Sequence, residues 1–106
     1  MKELRELLFK RSGGYCELCS LPLPESWALH HRKLRSRGGK HEIANVVALH
    51  HECHNLGTKS VHLNVEWATE IGFIVPSWEV AHLTPMLYYG RDKVLLTEDG
   101  QVQFII

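Results

Sequence analysis

The residues able to do chemistry crowd between His30 and His54. Six of the eight histidines lie in that interval, His62 follows shortly after, and only His82 stands apart. His30-His31 opens the stretch, Gly38-Gly39 and Asn45 punctuate it, and His50-His51-Glu52-Cys53-His54 closes it. An imidazole titrates near neutrality, so one histidine can take a proton from water. Others can hold a divalent cation, which offsets the charge of a phosphorane-like transition state and of a leaving oxygen. A side-chain amide can fix the base through a neutral hydrogen bond. For hydrolysis of a phosphodiester, His31 fills the first role, a metal on His30 and His54 the second, and Asn45 the third.

Three cysteines are an odd number, which disfavours a closed set of disulfides. Cys16 and Cys19 form one x-x-spaced pair, and His50 and Cys53 form another about thirty residues on. Together they offer three thiolates and one imidazole, the donor set of a tetrahedral structural zinc. A lone C-x-x-C also occurs in thioredoxin-like redox proteins, but no β-α-β pattern surrounds this one. Zinc-bound thiols predict a reducing, cytoplasmic setting. The apolar run Leu7-Leu8-Phe9 is short and flanked by charges, so neither a signal peptide nor a membrane span is expected.

Formal net charge is zero, yet its distribution is uneven. Residues 1–40 hold nine Lys/Arg and four Asp/Glu, a net +5, whereas residues 41–106 hold three and eight, a net −5. Arg32, Lys33, Arg35, Arg37 and Lys40 concentrate the basic excess just after the paired histidines. These five are the expected contacts to DNA phosphates, with modest and salt-sensitive affinity.

The elements that must position these groups are short. Residues 2–11 read as a helix, with Leu4, Leu7 and Leu8 on one face, Glu3 and Glu6 in the first turn, and Lys10 and Arg11 in the last. Residues 27–31 and 46–50 read as strands joined by the long loop 32–45, and loops of that length are usually functional. The pattern predicts a helix over 60–71 with Val61, Val65 and Ala68 on one face, an extended Phe73-Ile74-Val75, and strands at 86–89, 93–97 and 101–105. Trp27, Trp67 and Trp78 read as core residues before base-stacking platforms; His41 lies in the loop, His51 inside the second knuckle, and His82 reads as structural or exposed. A chain of 106 residues supports one domain, 1–106: an N-terminal helix (1–14), a zinc-stapled core (15–78) and a C-terminal β extension (79–106).

The string His30-His31-Arg32-Lys33-Leu34-Arg35-Ser36-Arg37-Gly38-Gly39, followed by Asn45 and the Cys53-His54 step, resembles the HNH endonucleases encoded by bacteriophages. The likeness spans about residues 12–78. It implies an α+β, ββα-metal (His-Me finger) core with His31 as general base, Asn45 bracing the loop, and His30 and His54 on the catalytic metal. It also implies DNA as substrate, 5′-phosphate and 3′-hydroxyl products, and a role in phage DNA packaging or processing beside a partner such as terminase. The catalytic ion would be Mn2+, Ni2+, Co2+, Mg2+ or Zn2+. Two departures stand out. His50 replaces the cysteine that many zinc-bearing relatives carry, which zinc tolerates. The next histidine after His54 is His62, eight residues on rather than four. Eight residues of continuous helix rise about 12 Å, too far to share one ion. His62 is therefore a third ligand if residues 55–59 loop out, and otherwise a histidine in the first helical turn.

A contrasting class fits the same spacing: a non-catalytic zinc-ribbon module that binds nucleic acid or protein. A homing-type nuclease would need a sequence-reading module, and the roughly thirty residues after the motif offer none.

Overall fold

The computed structural model describes residues 2–105. Helix α1 (Lys2–Ser12) ends one residue beyond the expected stop, where Gly13 and Gly14 both take positive φ. Strands β1 (Ala28–His31) and β2 (Val46–Leu49) pair antiparallel, with His30 opposite Val47 and His31 opposite Val46. Helix α2 (Val65–Glu70) follows, and β3 (Met86–Tyr88), β4 (Asp92–Leu96) and β5 (Val102–Phe104) form a second antiparallel sheet in sequence order. The fold is α+β, as expected.

Among the described residues, β2 is the only strand buried along its whole length, because it lies between two apolar clusters. Successive strand residues point to opposite faces. Val46 and Ala48 accordingly pack with Leu8 of α1, while Val47 and Leu49 join Cys16, Val61, Ala68, Phe73, Met86, Tyr88, Val94 and Leu96. That explains why Val46-Val47-Ala48-Leu49 reads as an unbroken apolar run. A buried ion pair ties the layers together. Arg11 donates to both carboxylate oxygens of Glu17 at 2.9 and 3.0 Å, and to the carbonyls of Ile43 and Val46. Glu17 also accepts from the Ala48 backbone N–H and the Tyr88 hydroxyl. Charge at α1's last turn had suggested only a match to the helix dipole.

Three expectations are corrected here. The helix expected at 60–71 is confined to Val65–Glu70. Residues 60–64 are pulled back toward the preceding turn, where Val61 and His62 donate their N–H groups to the carbonyls of Cys53 and His54. Val61 and Ala68 are buried as expected, but Val65 is exposed. The segment Phe73-Ile74-Val75, expected to run extended, is buried and bends at Phe73 and Ile74, where both N–H groups go to the Ala68 carbonyl, and the Val75 N–H goes to that of Arg32. Of the tryptophans, Trp67 is 40% and Trp78 82% exposed, so neither is a core residue. Trp27 is half-buried, under the Arg5 guanidinium and near Phe9.

No helix among the described residues is long and apolar enough to cross a membrane.

Candidate metal centres and active site

Cys16 and Cys19 sit in the turn after α1, and His50 and Cys53 in the turn after β2. Their donor atoms all lie within 4.8 Å of one another. His50 Nε2 meets the Pro22 carbonyl at 2.8 Å, which leaves Nδ1 aimed at Cys19 Sγ, 3.2 Å away. Such an outer hydrogen bond fixes the tautomer of a ligating imidazole. Burial pushes the Cys16 and Cys53 thiols up, and the neighbouring cysteines add their own repulsion. At Cys19 the effect of burial is outweighed by hydrogen bonds from the Leu21 backbone, Cys16 and His50, and the thiol moves down. Three sulfurs so close cannot all ionise without a compensating cation. Tetrahedral zinc, whose sulfur ligands stand about 3.8 Å apart at Zn–S distances near 2.3 Å, fits this donor set.

The second cluster joins His30, His54 and His62, again within 4.8 Å. His30 comes from β1, His54 from a single wide π-type turn at Glu52–Leu56, and His62 from the segment that doubles back beside it. Residues 55–59 do loop out. The Nε2 atoms of His54 and His62 are 3.0 Å apart, and both rings lie edge-on to His30 with centroids 5.1 Å away. His30 Nε2 contacts the Phe73 carbonyl at 2.6 Å, so its Nδ1 is the nitrogen left with a lone pair. Burial first, then the neighbouring histidines, pushes His30 down to about 3, against the pull of that carbonyl. Burial, His62 and His51 push His54 down to about 4. Both are neutral at physiological pH, which is the metal-binding form. Imidazole nitrogens about 2.0–2.1 Å from one ion would stand about 3.4 Å apart, so the triad fits a small divalent metal. No carboxylate belongs to it among the described residues.

Cys53 and His54 are chain neighbours in the same turn, and they serve different clusters. The two clusters are thus joined by one peptide bond.

β1 runs in regular register to its last residue, so His31 and His30 leave opposite faces. His31 stays near enough for its charge to act on His30. Its ring packs on His41, however, with Nε2 2.7 Å from His41 Nδ1. Burial, then His41 and Arg35, lowers its pKa. His41 had read as an ordinary loop residue. Asn45 is buried, but it does not bond the His31 ring as expected. Its Oδ1 accepts from the Lys33 N–H at 2.8 Å, and its Nδ2 donates to the Lys33 and Lys40 carbonyls at 3.0 Å. The amide is occupied by the backbone of the loop, which it closes.

Among the five expected phosphate contacts, Arg32 is a correction. Its side chain is fully buried and donates to four carbonyls, those of Gly72, Ala44, Ala81 and Thr84. It cannot reach a phosphate. Burial lowers its pKa to about 10, which still leaves it charged. Arg35, Arg37 and Lys40 are exposed, and the half-buried Lys33 reaches the Glu79 carbonyl at 3.0 Å. A Cβ on Gly39 would fall 1.7 Å from the Lys33 carbonyl oxygen, so only glycine lets the loop fold back this tightly.

Comparison with known families places these residues. Residues 16–60 match the HNH endonuclease family model. The HNH segment takes in both zinc-type knuckles, His30, His31, Asn45 and His54, and stops two residues before His62. Nuclease activity is what that segment indicates. No curated protein and no solved structure matches the chain.

Proposed function

We propose that the chain is a metal-dependent endonuclease that hydrolyses DNA phosphodiester bonds. The observation that carries this is the triad of His30, His54 and His62, three imidazoles converging within the HNH segment and just beyond it, beside His31.

In this reading His31 takes a proton from water, and the water oxygen bonds to phosphorus as the bond to the 3′ oxygen breaks. The 3′ oxygen leaves as a hydroxyl after gaining a proton from solvent, and the 5′ side keeps the phosphate. His30, His54 and His62 would hold the divalent cation, which when bound supplies the charge that stabilises the transition state and the leaving group. His30 and His31 leave opposite faces of β1, and the strand ends at His31 where the long loop begins, which lets base and metal border one phosphate. Asn45 keeps the loop closed, and Lys33, Arg35, Arg37 and Lys40 steer the DNA backbone. The knuckle cluster holds structural zinc. A non-catalytic zinc module would leave the second cluster, His30, His54 and His62, without a role. A phage setting, a packaging partner such as terminase and a cytoplasmic location rest on the sequence resemblance and the free thiols.

The test is supercoiled plasmid, cut by zinc-replete protein with manganese and then treated with DNA ligase. Nicks that reseal, and loss of about 10²–10⁴ in rate for His31→Ala at unchanged zinc content, are expected. Ends that ligase cannot seal, or His31→Ala at wild-type turnover, would sink the mechanism.

A further inference from the structure

The contact between His31 and His41 has a direction. A neutral imidazole carries one N–H and one lone pair, so at 2.7 Å one ring donates and the other accepts. If His41 donated, the proton of His31 would sit on its Nδ1 and its lone pair on Nε2 would be engaged, leaving no nitrogen free to act as a base. If His31 donates from Nε2, its Nδ1 lone pair is free, and Nδ1 makes no hydrogen bond among the described residues.

The loop is built to hold His41 there. Gly38 takes a φ of 90°, and Gly39 packs against the Lys33 carbonyl where no side chain fits. Asn45 then clamps both ends of the turn by donating to the carbonyls of Lys33 and Lys40. The Lys40 carbonyl belongs to the peptide that leads into His41, so the buried amide acts on His31 at one remove. Resting on the nuclease reading above, we propose that His41 is a positioning residue for His31: its Nδ1 accepts the Nε2 proton of His31 and holds that ring with Nδ1 free for the attacking water. When His31 takes the proton of water at Nδ1, its Nε2–H remains donated to His41. No proton passes to His41, and the one gained at Nδ1 returns to solvent after the bond to the 3′ oxygen breaks.

His41 is exposed, so substitution there leaves the core alone. Asparagine offers an oxygen close to where Nδ1 stands, and alanine offers nothing. In manganese-supported cleavage of a short duplex, His41→Ala should lower kcat by about 10–100-fold, a fraction of the ~10²–10⁴ a general base supplies, with KM unchanged. His41→Asn should recover most of that loss. A second readout needs no catalysis: long-range proton–nitrogen NMR of the zinc-replete protein, before manganese is added, should find His31 as the Nε2–H tautomer in wild type and His41→Asn, and a mixture in His41→Ala. Full kcat in His41→Ala, a loss confined to KM, or an Nδ1–H tautomer of His31 in the wild type would overturn the proposal. A wild-type protein that cuts no DNA would overturn the nuclease reading instead, and the tautomer would still decide whether His41 holds the ring.

Discussion

Arg32 and Arg35 are three residues apart and do opposite jobs. Arg35 is exposed in the loop, whereas Arg32 donates to carbonyls 12 to 52 residues away in sequence. Removing a charged donor from buried acceptors costs about 1.5–3 kcal/mol per bond. Arg32→Met should therefore destabilise the fold by more than about 3 kcal/mol in urea unfolding, while Arg35→Ala should stay within about 0.5 kcal/mol. Equal effects would mean that the buried guanidinium is not a structural pin. At this scale the candidate metal ligands were legible, because ligand spacing is local: two x-x-spaced pairs and the His30-His31 doublet name residues that the fold brings together or sets side by side. Arg32 was not, since its carbonyl partners come together only in the folded chain. Nor was His41, whose nearness to His31 depends on a fold-back that Gly38-Gly39 hints at without fixing its partner.

The decisive element is the loop between β1 and β2. With Arg32 withdrawn into the core, the loop charge left within reach of solvent is Lys33, Arg35, Arg37 and Lys40. The log–log salt slope of duplex binding should fall by about 0.9 for every phosphate left without its cationic side chain. Replacing Arg35, Arg37 and Lys40 together should flatten that slope by up to about 2.7 without moving the melting temperature. A triple variant with unchanged affinity and slope would make the loop a solvated surface. Strands β1 and β2 and the C-terminal meander were read to within a residue or two, since alternation and turn residues are short-range signals. The helix expected over 60–71 was overextended. Its periodicity was real, but bonds from Val61 and His62 to Cys53 and His54 outcompete the first turns and bring His62 to the triad.

On the scale of the whole molecule, two clusters with metal-ligand chemistry and one buried ion pair adjoin a modest core. Cys16 and Val61 lie in the same apolar cluster as Val47 and Phe73, and Cys53 packs against it, so the zinc-type site is part of the core. Chelation of zinc, or Cys53→Ala, should lower the melting temperature and disorder the neighbouring His54. Unchanged melting in zinc-free protein would remove the staple from the explanation. The uneven charge along the chain was legible from sequence, but the exposure of Trp67 and Trp78 was not, because aromatic content gives no signal of which face is left uncovered.

The proposed catalytic centre is best tested by its choice of ion. An all-imidazole triad disfavours magnesium, a hard cation that prefers oxygen and keeps its water, and suits cobalt, nickel and zinc, with manganese bound less tightly. Plasmid cleavage should be titrated with each metal on protein that retains its structural zinc. Manganese, nickel or cobalt should support cleavage at concentrations where magnesium gives little, and excess zinc should inhibit. Magnesium outperforming the transition metals at equal low concentration, or no cleavage with any of them, would contradict a nuclease centre built on His30, His54 and His62.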